Sequence, residues 1–392
     1  MIKTGIRIVR ENPKVMESWG RFGLVANQAS VDHDFEPTWR ILDRITPGRL
    51  QALFGPQHGF EATVQDNMIE TGHGKHLATG LPVFSLYSET RKPTSVMLAD
   101  IDTIVIDLQI TGCRVYTFKW TIAECLRAAK DNGKTVVVLD RPNPLGGEYV
   151  EGRVLDADCY SFVGQDTIPM RHALTPGELA KFVNRSIGCR LEVVELEDWN
   201  PCSSFYSTGL PWVITSPNLP TLDSIMVYPG TVLFEGTNVS EGRGTALPFQ
   251  FIGSPYLKDP HALIEYLNKW PSYLDGVFLR PCSFMPTSQK WAKEECLGLQ
   301  IHVEDPYEVR SYKLALMICN AFYTRKGFEW AKPGYEYDFD ALPINLIIGS
   351  KSTIDHFGDS FDPADPFWDE GLESYVENIK PYLLYDRDMK IP

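Results

Sequence analysis

Residues 103–139, TIVIDLQITGCRVYTFKWTIAECLRAAKDNGKTVVVL, decide the fold. Two β-branched runs, TIVIDL at 103–108 and TVVVL at 135–139, flank a stretch in which Ile122, Cys125, Leu126 and Ala129 recur at helical spacing. Asp131-Asn132-Gly133 supplies the C-cap, because glycine takes the left-handed conformation that ends a helix. Short runs that are apolar throughout, rather than alternating, are strands covered on both faces. Strand, helix and strand over this length form a βαβ unit, and a βαβ unit implies a parallel sheet.

The same texture extends to either side. FGLVA at 22–26 stops at Asn27, and LQALF at 50–54 stops at Gly55-Pro56. Downstream, Thr175-Pro176-Gly177-Glu178 is a capping box with proline at the first helical position, so a helix is expected to about Ile187. LEVVEL at 191–196 reads as a further strand. These elements define an open, doubly wound α/β domain over residues 1–205. From about Pro201 proline, glycine and aromatic residues become dense and the alternation loses its regularity. Helices are expected at 260–269 and 309–325, and strands at 276–280 and 297–303, giving a second, α+β domain over residues 206–392.

Composition narrows the function. The 392 residues carry a net charge of −14, which argues against a nucleic-acid partner. No run of 18 apolar residues occurs, so no membrane-spanning helix is expected. The start, MIKTGIRIVREN, lacks the apolar core of a signal peptide. Eight scattered cysteines without a C-x-x-C pair read as reduced thiols. A soluble, cytoplasmic protein is the expectation.

Ligands of open α/β sheets bind beyond the carboxyl ends of the strands. Those ends carry Asn27-Gln28, Gly55-Pro56-Gln57-His58-Gly59-Phe60, Asp107-Leu108-Gln109 with Gly112-Cys113-Arg114-Val115-Tyr116-Thr117, and Asp140-Arg141-Pro142-Asn143-Pro144. Asp107 lies in an apolar run and needs a partner, Arg114 or Arg141, which makes it either a structural ion pair or a tuned acid. His58 is equally open between a structural and a functional role. In the second half, residues 234–245 (FEGTNVSEGRGT) bring Glu235, Asn238, Glu241 and Arg243 into one glycine-rich loop, where Glu241 and Arg243 can also form a purely internal salt bridge. Ser216-Pro217-Asn218-Leu219-Pro220 reads as a rigid loop. The chain has no Walker loop, no G-x-G-x-x-G after a strand, no H-E-x-x-H and no G-x-S-x-G, and its histidines lack metal spacing. No metal or cofactor is therefore expected. Carboxylates, amides, arginines and aromatics in this mixture suit sugar chemistry.

Taken together, Gly23 to Gln28, Phe54 to Phe60, Gly80-Leu81-Pro82-Val83 with Ser85-Leu86-Tyr87, Asp107 to Tyr116, Asp140 to Gly147 and Glu235 to Pro248 resemble the NamZ-type exo-β-N-acetylmuramidase family, in the same order and over nearly the whole chain. The resemblance implies a Rossmann-like first domain, a smaller second one, and an active-site cleft between them. It also implies release of N-acetylmuramic acid from the non-reducing ends of peptidoglycan fragments. Where characterised members read Pro-Glu-His-Gly, with the glutamate catalytic, this chain reads Pro56-Gln57-His58-Gly59. An amide cannot serve as a general acid or base near neutral pH. Either another carboxyl group acts, with Asp107 and Glu241 expected to do so ahead of Glu61, Asp66, Glu70 and Glu235, or the reaction differs, or the protein is an inactive or altered muropeptide binder. Gln57 and His58 are expected to orient the sugar, Arg114 and Arg243 to grip an acidic substituent, and Tyr116 to cover a sugar face. Asn27, Gln109, Asp140, Arg141, Asn143, Asn218, Glu235 and Asn238 complete the expected substrate-binding set. The oligomeric state is left open.

Overall fold

A computed structural model of the chain describes residues 2–65 and 68–392. Seven strands form the larger sheet: β1 (Phe22–Ala26), β2 (Leu50–Gly55), β3 (Gly74–Lys75), β4 (Pro82–Ser85), β5 (Thr103–Asp107), β6 (Thr135–Leu139) and β7 (Arg190–Val194). Their order is β3-β4-β2-β1-β5-β6-β7, parallel throughout except for the edge hairpin of β3 with β4. The chain builds outward from β1 through β2 to β4, then returns to the other side of β1 to lay down β5, β6 and β7. The winding direction thus reverses between β1 and β5, the position at which open α/β sheets bind ligands beyond the carboxyl ends of their strands.

Side-chain alternation explains why these strands read as unbroken apolar runs. Leu24, Leu53, Val105 and Val137 face α1 (Gly5–Glu11) and α2 (Thr38–Ile45), packing on Ile6, Val9, Ile41 and Leu42. Val25, Phe54, Ile104, Ile106, Val136 and Val138 face the opposite way, toward α3 (Phe118–Asp131) and α4 (Pro176–Ile187). Both faces of the central strands are covered by apolar side chains, so the polar residues gather mostly at the strand ends. The capping box at α4 forms as its sequence indicates, with Thr175 accepting from the Glu178 amide and Glu178 bonding back.

The second sheet is antiparallel, with β8 (Phe251–Ser254), β9 (Val277–Phe284) and β10 (Cys296–Val303) in the order β8-β10-β9. Helices α5 (Leu222–Thr231), α6 (His261–Leu267), α7 (Ser311–Tyr323), α8 (Pro343–Ile348) and α9 (Leu372–Ile379) accompany it. The apolar core over α3 and α4 continues through Ile225 and Val227 of α5 to Met317 and Ile318 of α7 and on to Ile252 and Leu299 of the small sheet. The chain end returns to the first sheet, where Tyr385 donates to Asp140 at 2.6 Å and Arg387 pairs with Glu178 at 2.7 Å.

One expectation is corrected here. The proline- and glycine-rich stretch after residue 221 is not irregular: α5 runs through Pro229 and Gly230. Thr221 caps it by accepting from the Ser224 amide, and the helix tightens directly into a 3-10 turn at Val232–Gly236. Gly230 is required by the crossing with α7, because a Cβ there would lie 1.8 Å from the Ser311 carbonyl oxygen. Gly230→Ala is accordingly expected to lower stability by about 1–3 kcal/mol, the usual cost of overpacking. The check is a drop in urea midpoint with an unchanged denaturant slope.

Candidate active site

The loop that follows β2 begins the site. A Cβ at Gly55 would sit 2.5 Å from the Phe60 amide nitrogen, so only glycine lets the chain double back this tightly. Inside the turn His58 adopts φ 72°, a left-handed conformation costly for a residue with a side chain. The turn aims Gln57 into a narrow cavity that it shares with Tyr116, Thr117, Ser216, Asn218, Glu235, Arg243 and Glu336. Thr117 donates to Gln57 Oε1 at 2.5 Å, and Gln57 Nε2 faces Glu336 Oε1 at 3.4 Å. His58 Nδ1 lies 2.7 Å from the Val64 carbonyl, which can only accept, and Nε2 lies 3.1 Å from Ser216 Oγ.

Among the described residues two carboxyl groups open onto this cavity, and their surroundings differ. Glu235 is ion-paired with Arg243 and accepts from the Tyr335 hydroxyl at 2.6 Å. Glu336 is 6% exposed, and its hydrogen bonds come from neutral donors, Tyr87 to Oε2 at 2.8 Å and the Gln57 amide. Burial, reinforced by the nearby charge of Glu235, pushes the Glu336 carboxyl above the usual carboxylate range, against the opposing pull of the two donors and Arg91. Glu336 and Tyr337 are consecutive left-handed residues, at φ 46° and 68°. Aromatic rings complete the wall: Tyr116 meets Tyr228 edge-on at 6.3 Å, and Tyr228 meets Phe249 in the same way at 4.8 Å.

Of the residues expected from sequence, Gln57, His58, Tyr116, Asn218, Glu235 and Arg243 reach the cavity wall. Asp107 does not. It is wholly buried, held by both Arg141 Nε and Nη2 and by Thr38, which matches the structural-pair alternative and leaves it no route to a ligand in this cavity. Glu241 sits behind the wall, 3.2 Å from Arg243 Nε and 2.8 Å from Lys290 Nζ. Burial raises its pKa, but the two cations together outweigh that and hold it below the ordinary range, the reverse of what a proton donor needs. Arg114 is also buried, its guanidinium donating to the carbonyls of Arg153, Ile168, Ile347 and Ile348 at 2.7–2.8 Å instead of facing the cavity.

The remaining expected residues serve the loops. Asp140 accepts from Thr175 and the Gly177 amide, both at 2.8 Å, and Gln109 donates to the carbonyls of Ile110 and Pro142. Asn143 bridges Leu174 and Leu145, Asn27 bridges Thr215 and Ala29, and Asn238 bridges Gly327 and Tyr256. Glu61 and Glu70 line a wider groove on the far side of His58, and Asp66 lies outside the described residues. Sequence reading missed Glu336 and Tyr335, and named Tyr87 only within the Ser85-Leu86-Tyr87 motif, without a place in the site. The only local signal at 335–337 is an aromatic-acid-aromatic triplet, Tyr335-Glu336-Tyr337, after Pro333-Gly334.

A large, mostly parallel sheet, an antiparallel companion and a narrow cavity bearing two unlike carboxyl groups define a two-sheet α/β protein with a polar, acid-bearing pocket. The chain belongs to the NamZ exo-β-N-acetylmuramidase family: the family's N-terminal model matches residues 22–223 and its C-terminal model residues 226–385. It is 39% identical over 388 residues to the peptidoglycan β-N-acetylmuramidase NamZ of Bacillus subtilis strain 168, covering 98% of this chain and 91% of that protein. A DUF1343 family protein of Bacteroides fragilis, solved by crystallography, superposes with a TM-score of 0.85 at 32% identity over 98% of this chain and 99% of the other. A second DUF1343 protein from the same organism shares the fold, with a TM-score of 0.74 at 24% identity, over 99% and 100% of the two chains.

Two predictions follow from these placements. Asp107→Asn should cost about 3–5 kcal/mol, because it strands the buried Arg141 charge, and should also weaken ligand affinity of the folded protein, because the pair ties down loops around the cavity. Urea unfolding and a binding titration check the two halves. For Glu336, a raised folded-state pKa means the native protein holds its proton to higher pH than the unfolded chain does. Its contribution is therefore present below the ordinary carboxylate range and is lost as pH rises through the folded value. Glu336→Gln should gain stability relative to wild type as the pH is raised from 4 toward 8, measured by urea unfolding at each pH.

Proposed function

We propose that this protein is a glycosidase that releases N-acetylmuramic acid, or a related amino sugar, from the non-reducing ends of peptidoglycan fragments. The observation that carries this reading is the convergence of Gln57, His58, Glu235 and Arg243, from separate family-like motifs, on one narrow cavity beside Glu336. Glycoside hydrolysis commonly uses one protonated carboxyl group to protonate the leaving oxygen and a second, ionised one that activates water, attacks the anomeric carbon or stabilises the positive charge developing there. The cavity holds two carboxyls in contrasting surroundings, with aromatic edges to pack a sugar face. Arg243 is the arginine on the wall, and a lactyl carboxylate would approach it in competition with Glu235 and Glu241.

The strand order about β1 supports a Rossmann-like reading of the first half, with the cleft between it and the second. Among the described residues no helix is long and apolar enough to cross a membrane. All eight cysteines are free, which supports residence in a reducing compartment and hence the processing of imported wall fragments.

Gln57 itself favours a second reading, a muropeptide-binding protein without turnover. Initial rates on a chromogenic β-N-acetylmuramide and the matching β-N-acetylglucosaminide separate the two. Turnover of the muramide with preference over the glucosaminide is the expected result. Saturable binding of the muramide without release of the chromophore would establish the second reading instead.

A further inference from the structure

We infer that Glu336 is the proton donor to the glycosidic oxygen, acting from across the cavity in place of a carboxyl group at position 57. The inference rests on the glycosidase reading above. Its geometric basis is the contact between Gln57 Nε2 and Glu336 Oε1 at 3.4 Å, which puts an amide and a carboxyl side by side on the cavity wall. The amide NH2 donates hydrogen bonds but is far too weak an acid to transfer a proton, so of this adjacent pair only Glu336 can act as a general acid. Tyr87 donates to Oε2 at 2.8 Å, a shorter contact than the 3.4 Å from the Gln57 amide to Oε1, and this asymmetry favours Oε1 as the oxygen that carries the acidic proton. Thr117, donating to Gln57 Oε1 at 2.5 Å, fixes the amide so that its NH2 end faces Glu336.

Among the described residues, Glu235 and Glu241, the other acidic groups near the cavity, do not fit the task. Glu235 is tied to Arg243 and Tyr335, and Glu241 is clasped by two cations behind the wall. Burial in contact with neutral donors keeps Glu336 protonated to higher pH than an ordinary carboxyl, as a general acid requires. The left-handed backbone at Glu336 and Tyr337 is the kind of strain that surrounding structure maintains at working sites.

In the step, the Glu336 O–H bond breaks and its proton passes to the glycosidic oxygen. The bond between that oxygen and the anomeric carbon breaks, its electron pair leaving with the oxygen, so the aglycone departs as a neutral alcohol. The ion-paired Glu235 carboxylate offsets the positive charge that develops on the sugar. Water then adds its oxygen to the anomeric carbon and returns a proton to the Glu336 carboxylate, which restores the acid.

Leaving-group dependence tests this. A 2,4-dinitrophenyl β-N-acetylmuramide releases a weakly basic phenolate that needs no proton, whereas the disaccharide of N-acetylmuramic acid on N-acetylglucosamine releases an alcohol that does. Glu336→Gln should lower kcat/KM on the disaccharide by about 10²–10⁴-fold, the usual worth of general acid catalysis, and on the dinitrophenyl glycoside by less than about tenfold. Glu235→Gln should depress both substrates together. The comparison is a ratio within one protein sample, so a partly unfolded variant does not confound it. If Glu336→Gln loses both substrates equally, or neither, the assignment is overturned while the glycosidase reading stands. If the wild type cleaves neither substrate, the glycosidase reading itself fails and this inference fails with it.

Discussion

A buried ion pair, Asp107 with Arg141, sits where the strand order reverses, and the loops that shape the cavity are tied to it. Asp107 ends β5 and Arg141 follows β6, and Thr38 at the start of α2 donates to the same carboxylate. Arg141 Nη2 also donates to the Val31 carbonyl at 2.8 Å, and Ser30 donates to the Asp107 carbonyl, so the loop after β1 is pinned as well. From that loop Asn27 and Gln28 donate to the carbonyls of Thr215 and Ile214, both at 2.9 Å. The next residue, Ser216, meets His58. A charge pair that costs desolvation energy thus fixes three strand ends and, through two amides, one wall of the cavity.

The same economy of charge distinguishes the two carboxyls that open onto the cavity. Across the second half runs an alternating chain, Lys290 to Glu241 to Arg243 to Glu235, in which each acid meets a cation. Glu336 stands beyond the end of that chain and, among the described residues, its carboxyl meets neutral donors at hydrogen-bonding distance, Tyr87 and Gln57. Identical side chains become chemically different because one is placed inside an ion-pair relay and the other beside it. Glu241 is needed for this contrast even though it does not touch the cavity: it shares Arg243 with Glu235 and sets where the guanidinium lies.

The parallel sheet was legible because both of its faces are buried, which turns each central strand into an uninterrupted apolar word such as FGLVA or TVVVL. Helix α4 was legible for a local reason, since its capping box satisfies the first amides within four residues. Helix α5 was not, because Pro229 and Gly230 break local rules, and the reason for Gly230 is the close crossing with the distant Ser311 of α7. The site divides in the same way. Gln57, His58, Glu235 and Arg243 lie in glycine-rich turns that advertise themselves, whereas Asp107 and Arg114, polar residues at equally suggestive places, proved to be anchors for backbone and loops. Spacing along the chain cannot tell a carboxylate aimed at a ligand from one aimed at a buried arginine. Glu336 reaches Gln57 from 279 residues away, on a turn with no periodicity to announce it.

Replacing an acid by its amide usually removes a function and preserves a shape, and Gln57 shows why the shape survives here. Glutamine keeps an oxygen for the Thr117 hydroxyl and gains two protons for Glu336, so both neighbours remain satisfied. A glutamate at 57 would instead put a second carboxyl against Glu336, and two acids at that distance cannot both ionise without cost. The amide therefore removes a repulsion as well as a proton. What it leaves is one carboxyl, buried, bonded to an amide and a phenol, and facing the same space, so position 57 and position 336 are best understood as a single amide–acid unit spanning the two halves of the chain.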